Sequence, residues 1–327
     1  MAIRKRSTDR VLQAYKLVGI LESHKHLIVV AGPTAVGKTA VGIELAKHFD
    51  CEIISADSRQ FYKEISIGTA KPNLDKLGAV HHHFINSHSI VEEYNAGRYE
   101  KDALSLLEEI HTKKDLAIMV GGSGLFIQAV TSGFDELPEI DPKIREFLNL
   151  EVKTNGLECL LGELKDIDPE YFNIVDISNQ QRVIRALEVI RATSIPYSQY
   201  RKNSPKPRPF SIIKIGLEQD RKELYERIDL RVDQMLNAGL LEEVKSVIAY
   251  RDKPALKTVG YSEIFDFLDG KQSLEEAVSL IKRNSRRYAK RQLTWFKKDQ
   301  AFNWFLPDQI EDIKSFIKKQ IEISNLY

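Results

Sequence analysis

The residues best suited to chemistry in this sequence form a glycine-rich loop behind a short apolar segment. The loop fits G-x-x-x-x-G-K-[ST] at every fixed position and consists of Gly32, Pro33, Thr34, Ala35, Val36, Gly37, Lys38 and Thr39. In such a loop backbone N–H groups surround a phosphate, and the following helix adds partial positive charge. Lys38 supplies a further charge, and the Thr39 hydroxyl is a ligand for Mg²⁺. The pattern predicts a phosphate-binding site, but kinases, GTPases, ATPases and some transferases all share it.

An acidic residue, Asp57, is expected at the same site. A P-loop ATPase usually carries an aspartate at the end of a nearby strand, but here the third predicted strand ends in Gly121-Gly122-Ser123. Asp57 follows the second predicted strand instead. Because ligands bind at the carboxyl ends of parallel strands, the loop, Asp57 and this triplet should share one crevice. One carboxylate beside a diphosphate site suits a reaction in which diphosphate leaves and a nucleophile loses a proton.

The elements that position these residues alternate between short apolar strands and helices, which predicts an α/β fold with a parallel sheet. Strands are predicted at residues 26–31, 51–57, 116–122 and 210–217. Helices are predicted at about 39–49 and 99–111 and from Asp220 onward, where Asp220 and Glu223 form a cap. The fold class expected is therefore a P-loop NTPase-like parallel sheet flanked by helices.

A helical segment interrupts this alternation. Residues 138–199 show helical periodicity and no strand. They are followed by "RKNSPKPRP", residues 201–209, whose three prolines exclude a regular helix. Ser178 and Gln181 predict a capping box at the start of one helix. We therefore predict an N-terminal extension at residues 1–25, a catalytic core at 26–137 and 210–327, and an inserted helical domain at 138–209.

Six segments occur in the order typical of bacterial tRNA dimethylallyltransferases, the IPP transferase family. They are "GPTAVGKT", "ISADSRQFYKEISIGTAKP", "MVGGSGLFIQAV", "QQRVIRALEV", "TVGYSE" and "AKRQLTWF", and the resemblance runs from about His26 to Phe305. It implies transfer of a dimethylallyl group from dimethylallyl diphosphate to the exocyclic amine of an adenine. That adenine lies directly 3′ of the anticodon, in tRNAs that read codons beginning with U. The phosphate loop then binds the diphosphate, which is released.

The same resemblance implies roles for individual residues. Asp57 corresponds to the general base, Arg145 to a residue that grips the diphosphate, and Ser123 stands where relatives usually have threonine. The tRNA contacts implied are Asp57, Ser58, Arg59, Gln60, Gln181, Arg182, Val183, Ile184, Arg185, Gly260 and Tyr261. The inserted domain is expected to hold the anticodon arm.

Asp57 can act as this base without an unusual pKa. An aspartate with a pKa near ~3.9 is a weak base toward an aromatic amine. Formation of the carbon–nitrogen bond makes the amine nitrogen strongly acidic, so a positioned carboxylate can accept the proton as the bond forms.

Positive charge is concentrated near the C-terminus although the net charge is only +1. Residues 281–298 contain eight basic residues and no acidic one. Ile281, Tyr288 and Trp295 are seven residues apart, which predicts a packed apolar face. The basic residues that project elsewhere are expected to contact RNA phosphates or the diphosphate; they are Arg283, Arg287, Lys290 and Arg291.

The remaining features argue against metal, disulfide and membrane classes. In "HHHFINSH" three adjacent histidines cannot all face one ion on a regular element, so sheet-edge packing or a loop is preferred. Cys51 and Cys159 form no CxxC pair, which favours a reducing cytoplasm. No apolar run reaches the ~20 residues of a membrane span. The chain is expected to work as a monomer with tRNA, dimethylallyl diphosphate and Mg²⁺.

Three other functions remain open on the residues alone. A P-loop small-molecule kinase would share the loop and the sheet. An adenylate isopentenyltransferase would use the same donor but would not need the helical insert. A non-enzymatic RNA-binding protein would have no need for an intact loop together with Asp57.

Overall fold

The computed structural model describes residues 24–202 and 204–326, which form two compact units. The insertion unit is Ser132–Pro207, and the core unit contains the described residues on either side of it. Nearly all of the predicted N-terminal extension lies outside the described residues. The insert was predicted at 138–209, and the compact unit spans 132–207.

A single parallel sheet organises the described part of the core unit. Its strands are β1 (His26–Ala31), β2 (Ile53–Ser55), β3 (His82–His83), β4 (Leu116–Gly121), β5 (Ser211–Leu217) and β6 (Phe302–Phe305). They lie in the order β3-β2-β4-β1-β5-β6, and every pairing is parallel. β1 is buried along its whole length, as a central strand covered on both faces must be. The predicted α/β class with a parallel sheet is confirmed.

Helices surround the sheet and build the insertion unit. Those before the insert are α1 (Lys38–His48), α2 (Leu74–Ala79), α3 (Ala96–His111) and α4 (Gly124–Ser132). The insert contains α5 (Pro142–Asn155), α6 (Glu158–Ile167), α7 (Pro169–Phe172) and α8 (Gln180–Thr193). After it come α9 (Arg221–Asn237), α10 (Leu240–Ser246), α11 (Tyr261–Leu268), α12 (Leu274–Phe296) and α13 (Ile310–Ser324).

The two faces of the sheet carry separate apolar clusters. Ile28 and Val30 of β1 pack with side chains of α1, α9 and α13. Leu27 and Val29 point to the opposite face and pack with side chains of α3 and α4. Successive strand side chains alternate between faces, so an unbroken apolar strand such as β1 needs helices on both sides.

The insertion unit has an apolar core of its own, and its described residues contain no strand. Leu148, Leu160, Leu164 and Leu187 are buried together at the centre of its helices. The buried carboxylate of Asp168 accepts the N–H of Tyr171 at 3.0 Å and that of Ser198 at 2.7 Å. These bonds cap α7 and fix the segment that follows α8.

Two predicted helix caps have different outcomes. The capping box at Ser178 and Gln181 is wrong, because Asn179 is the N-cap of α8 and accepts the N–H of Arg182. The Ser178 hydroxyl instead donates to Asp176 at 2.6 Å. The cap at Asp220 is confirmed, since its carboxylate accepts the N–H groups of Lys222 and Glu223.

The packed face of α12 differs from the prediction. Tyr288 is 37% exposed and Trp295 is 41% exposed, so a seven-residue spacing does not describe this face. The buried residues are instead Ala277, Ile281, Ala289, Gln292 and Phe296. Small and amide side chains form much of the contact, and an apolar periodicity does not register them.

His82 and His83 form the edge strand β3, so the expected sheet-edge packing of the histidine segment is confirmed. A strand was not predicted there, because histidines carry no apolar signal. β2 is also shorter than the predicted 51–57. The helix α3 begins at Ala96, before the predicted start at about 99, because Asn95 caps it. Among the described residues, no helix has both the length and the apolar character needed to cross a membrane.

Candidate active site

The phosphate loop connects β1 to α1, and its two glycines are required by its backbone. A Cβ atom on Gly32 would lie 2.5 Å from the carbonyl oxygen of Leu217. Gly37 has a φ of 113°, a left-handed conformation that favours glycine. No side chain caps the N-terminus of α1, so within the described chain no side chain occupies the amides of its first turn. Such amides form an anion-binding site.

Lys38 folds back across this loop. Its ammonium donates to the carbonyl oxygen of Pro33 at 2.7 Å. Burial lowers the pKa of Lys38 to about 8, and the negative charge of Asp57 opposes that shift. The amine is therefore mostly protonated at neutral pH and is held close to where a phosphate would lie.

The loops after β2 and β4 are joined by side-chain hydrogen bonds. Ser123 accepts the N–H of Ser58 at 2.9 Å and donates to the Ser58 hydroxyl at 3.0 Å. One carboxylate oxygen of Asp57 accepts the N–H of Arg59 at 3.1 Å. These bonds fix the position of Asp57 relative to Ser123.

A cleft lies among these loops. Its lining comprises Lys38, Thr39, Ile53, Ser55, Asp57, Gln60, Pro72, His82, Ile85, Val120 and Gly121. The prediction that the phosphate loop, Asp57 and the end of β4 share one crevice is confirmed. Charged and apolar groups line the same space, as is common in small-molecule sites. It therefore suits a ligand that combines a phosphate with a small hydrocarbon group.

Gln292, on α12, connects the phosphate loop to the loop after β4. Its side-chain oxygen accepts the N–H of Thr34 at 2.8 Å, and its amide donates to the carbonyl of Gly122 at 2.8 Å. The side chain is buried. Sequence reasoning did not single out this residue, although it lies within the family-like segment "AKRQLTWF".

Two arginines of α9 and one tyrosine of α12 were also missed. Arg231 donates to the Thr34 hydroxyl at 3.4 Å. Burial lowers the pKa of Arg231, nearby Arg227 lowers it further, and Asp57 raises it. Partial burial also raises the pKa of the Tyr288 phenol to about 12, and Asp57 adds to that shift. The only signal for the arginines was their four-residue spacing, which puts both on one helix face.

Two residues of the "DSRQ" segment use their side chains to hold other parts of the core unit. Arg59 donates to the carbonyl oxygens of Pro254 at 2.9 Å and Ala255 at 3.1 Å. The Gln60 amide donates to the carbonyl of Thr69 at 3.2 Å. Their predicted contacts with tRNA stay predictions.

Tyr261 and Gly260 form the start of α11, and Tyr261 is completely buried. The Tyr261 hydroxyl donates to Glu243 at 2.6 Å. The same carboxylate accepts the three successive backbone N–H groups of residues 66–68. In this conformation the Tyr261 side chain thus supports the turn at 66–68 and is not available to RNA.

The remaining predicted site residues belong to the insertion unit. Arg145 donates to Gln181 at 3.0 Å and shares Glu188 with Arg185, at 3.5 and 3.0 Å. The structure therefore brings together three of the polar residues named from the sequence; the role of Arg145 on the diphosphate stays a prediction. Arg182 is exposed on the same helix.

Val183 and Ile184 have no exposed surface and lie in the core of the insertion unit. Apolar side chains at two successive positions of α8 pack among the other helices. The side chains of Val183 and Ile184 therefore cannot contact tRNA in this conformation. The predicted tRNA contacts of α8 that remain are those of its polar residues.

Comparisons with known proteins agree over nearly the whole chain. A family model described as IPP transferase matches residues 60–299. The tRNA dimethylallyltransferase of Cytophaga hutchinsonii is 50% identical over 299 residues, 91% of this chain and 98% of that protein. The tRNA dimethylallyltransferase 1 of Bacteroides fragilis is 46% identical and covers 91% and 99% of the two chains.

Solved structures give the same grouping. The full-length tRNA isopentenylpyrophosphate transferase from Bacillus halodurans superposes with a TM-score of 0.69 at 38% identity, over 91% of this chain and 97% of that one. A eukaryotic dimethylallyltransferase acting on tRNA superposes with a TM-score of 0.68 at 29% identity, over 83% and 69%. The fold of the chain is accordingly of the P-loop NTPase-like type.

Proposed function

The chain belongs to the IPP transferase family, and we propose that it transfers a dimethylallyl group from dimethylallyl diphosphate to tRNA. It is a transferase that modifies tRNA. The observation that carries the detailed proposal is the cleft at which the phosphate loop, Asp57 and apolar side chains meet. The acceptor proposed is the exocyclic amine of the adenine directly 3′ of the anticodon, in tRNAs that read codons beginning with U.

The diphosphate is held by the phosphate loop. Its oxygens accept from the uncapped amides at the start of α1 and from the ammonium of Lys38. Arg231 is partly desolvated and lies against Thr34, so it adds a second positive charge to the same anion. The Thr39 hydroxyl lines the cleft and is an oxygen donor of the kind Mg²⁺ prefers. Bound Mg²⁺ would neutralise charge on the departing diphosphate.

The transfer is one substitution at carbon. The adenine nitrogen forms a bond to the first carbon of the dimethylallyl group, and the bond from that carbon to the diphosphate oxygen breaks. The bonding electrons leave with the diphosphate. Asp57 accepts the proton that the nitrogen loses, because the new bond makes that nitrogen acidic. The hydrogen bonds of Ser58 and Ser123 keep the carboxylate loop in place.

The RNA is held by positive charge that the fold leaves unneutralised. Lys282 and Arg286 of α12, and Lys297 directly after this helix, each pair with an acid. Within the described chain, the exposed neighbours on this helix have no such ion pair; they are Arg283, Arg287, Lys290 and Arg291. They are available to phosphates, whose neutralisation supplies much of the affinity for nucleic acids.

The insertion unit is proposed to grip the anticodon arm. Before it reacts, the adenine must leave its stack in the anticodon loop, which costs a few kcal/mol. A loop base is easier to extrude than a paired one, and contacts from Arg182 and Arg185 offset the remaining cost.

One assay separates this function from its rivals. The protein is incubated with labelled dimethylallyl diphosphate and either tRNA or AMP, and in parallel with ATP and small acceptors. We expect label on tRNA alone. Label on AMP indicates an adenylate isopentenyltransferase, phosphate transfer from ATP indicates a kinase, and no transfer indicates a binding protein; each of these contradicts the proposal.

Asp57→Asn tests the catalytic step. Since general-base catalysis contributes about 10²- to 10⁴-fold, turnover should fall by about 100-fold or more while tRNA affinity stays within a few-fold. Asp312→Asn, the same change at an exposed residue of α13, serves as the control and should behave as wild type. Near-normal turnover of Asp57→Asn at saturating substrates would exclude the proposed role.

A further inference from the structure

The triple-histidine segment, residues 81–83, contains the edge strand β3, and its side chains alternate between the two faces of the sheet. In the parallel pairing of β2 and β3, Ile53 lies opposite His82, and the N–H of Ile53 donates to the carbonyl of His81 at 2.9 Å. Ile53 and His82 both line the cleft. Because strand side chains alternate, Glu52, His81 and His83 lie together on the opposite face.

These three side chains point ligand atoms at one another. One nitrogen of each histidine and one carboxylate oxygen of Glu52 all lie within 4.8 Å of each other. The His83 Nε2 atom is 2.6 Å from the Glu52 oxygen, and the rings of His81 and His83 are nearly perpendicular with centroids 4.3 Å apart. His81 is exposed and the other two are half-buried, so an ion from solvent can reach the cluster.

We propose that Glu52, His81 and His83 bind one divalent transition-metal ion, with Zn²⁺ as the reference case. Two imidazoles and one carboxylate are a donor set that suits Zn²⁺, whereas Mg²⁺ and Ca²⁺ take oxygen ligands. Three protein ligands leave the fourth tetrahedral position to water. The nearby cation, Lys114, is paired with Asp50 at 2.9 Å, so its charge is partly neutralised.

The physical effect of such an ion is to fasten the edge of the sheet. β3 has only two residues and one neighbouring strand, so few backbone hydrogen bonds hold it. A metal that joins Glu52 to His83 closes a segment of chain between positions 31 residues apart and stabilises the folded edge by binding it. His82 lies between two ligands and lines the cleft, so the ion also fixes part of the cleft wall.

Titration of the tag-free full chain with ZnCl₂ tests the site, after treatment with a chelator and monitored by calorimetry. The expected result is one Zn²⁺ per chain, which an excess of MgCl₂ does not displace. His81→Ala and Glu52→Gln should each weaken binding by at least about tenfold, since even losing an outer partner of a ligand costs about 10- to 100-fold. His48→Ala, at an exposed histidine of α1, should bind as wild type does.

Equal Zn²⁺ affinity in wild type, His81→Ala and Glu52→Gln would overturn the proposal, as would the absence of binding to the wild type. Hydrogen exchange of the amides at 81–85 provides a second readout. Zn²⁺ should slow their exchange in the wild type and in His48→Ala but not in His81→Ala. Unchanged exchange in the metal-bound wild type would contradict the fastening of β3.

Discussion

Replacing Gln292 by methionine isolates the contribution of one side chain to the shape of the phosphate loop. Methionine has a similar length but neither accepts from the Thr34 N–H nor donates to the Gly122 carbonyl, and both of those bonds measure 2.8 Å. The bond to Gly122 is buried and the bond to Thr34 is partly buried, so water can replace the second more readily than the first. A buried polar group left without a partner costs about 1–3 kcal/mol, so the loss of both bonds should cost about 2 kcal/mol or more.

This cost should be divided between stability and donor binding. If the loop relaxes so that the Thr34 N–H finds another partner, the protein loses less stability, but the diphosphate site is disturbed. We expect the free energy of unfolding to fall by at least about 2 kcal/mol, or the KM for dimethylallyl diphosphate to rise by about 30-fold, which is the same free energy. The KM for tRNA should stay within a few-fold.

Urea unfolding measures the change in the free energy of unfolding. Steady-state kinetics with each substrate varied in turn measure the two KM values. The matched control is Gln272→Met, which loses a single 2.8 Å bond to the carbonyl of Glu263 and does not line the cleft. It should lower stability without changing the KM for dimethylallyl diphosphate. If Gln292→Met has wild-type stability and a wild-type KM for the donor, Gln292 does not hold the loop.

Two further outcomes follow from charges in the two units. Because burial lowers the pKa of Lys38 to about 8, its positive charge is lost as pH rises through that value. Pyrophosphate binding should weaken by up to about tenfold per pH unit above it, but not in Lys38→Met; equal pH profiles would refute this. Substituting Arg182 and Arg185 together by alanine should reduce the slope of log affinity for tRNA against log salt by roughly 1.4, about 0.7 per phosphate contact. Lys153→Ala, an exposed control in α5, should lower the slope less, and superimposable curves for wild type and the double variant would exclude these contacts.

Local sequence determined the part of the site that lies at the ends of strands. The backbone of the phosphate loop requires glycine at positions 32 and 37. The loop can therefore be recognised from the spacing of these glycines and Lys38 without a structure. The alternation of strands and helices then placed Asp57 and Ser123 at the same edge, because parallel strands end on one side of a sheet. β1 was predicted with its observed bounds, His26–Ala31, because a buried central strand has an unbroken apolar signal.

Only the tertiary structure decided which distant side chains complete the site. Gln292 and Arg231 meet the phosphate loop from 258 and 197 residues away, and their contacts depend on how α12 and α9 rotate against the sheet. Burial of Tyr261, Val183 and Ile184 and the pairing of Glu52 with His83 depend on packing in the same way. A sequence pattern reports the conformation of neighbouring residues and the apolar face of a helix or strand. The contacts of the polar side chains depend on which other elements pack against that helix or strand, and this is decided only when the whole chain folds.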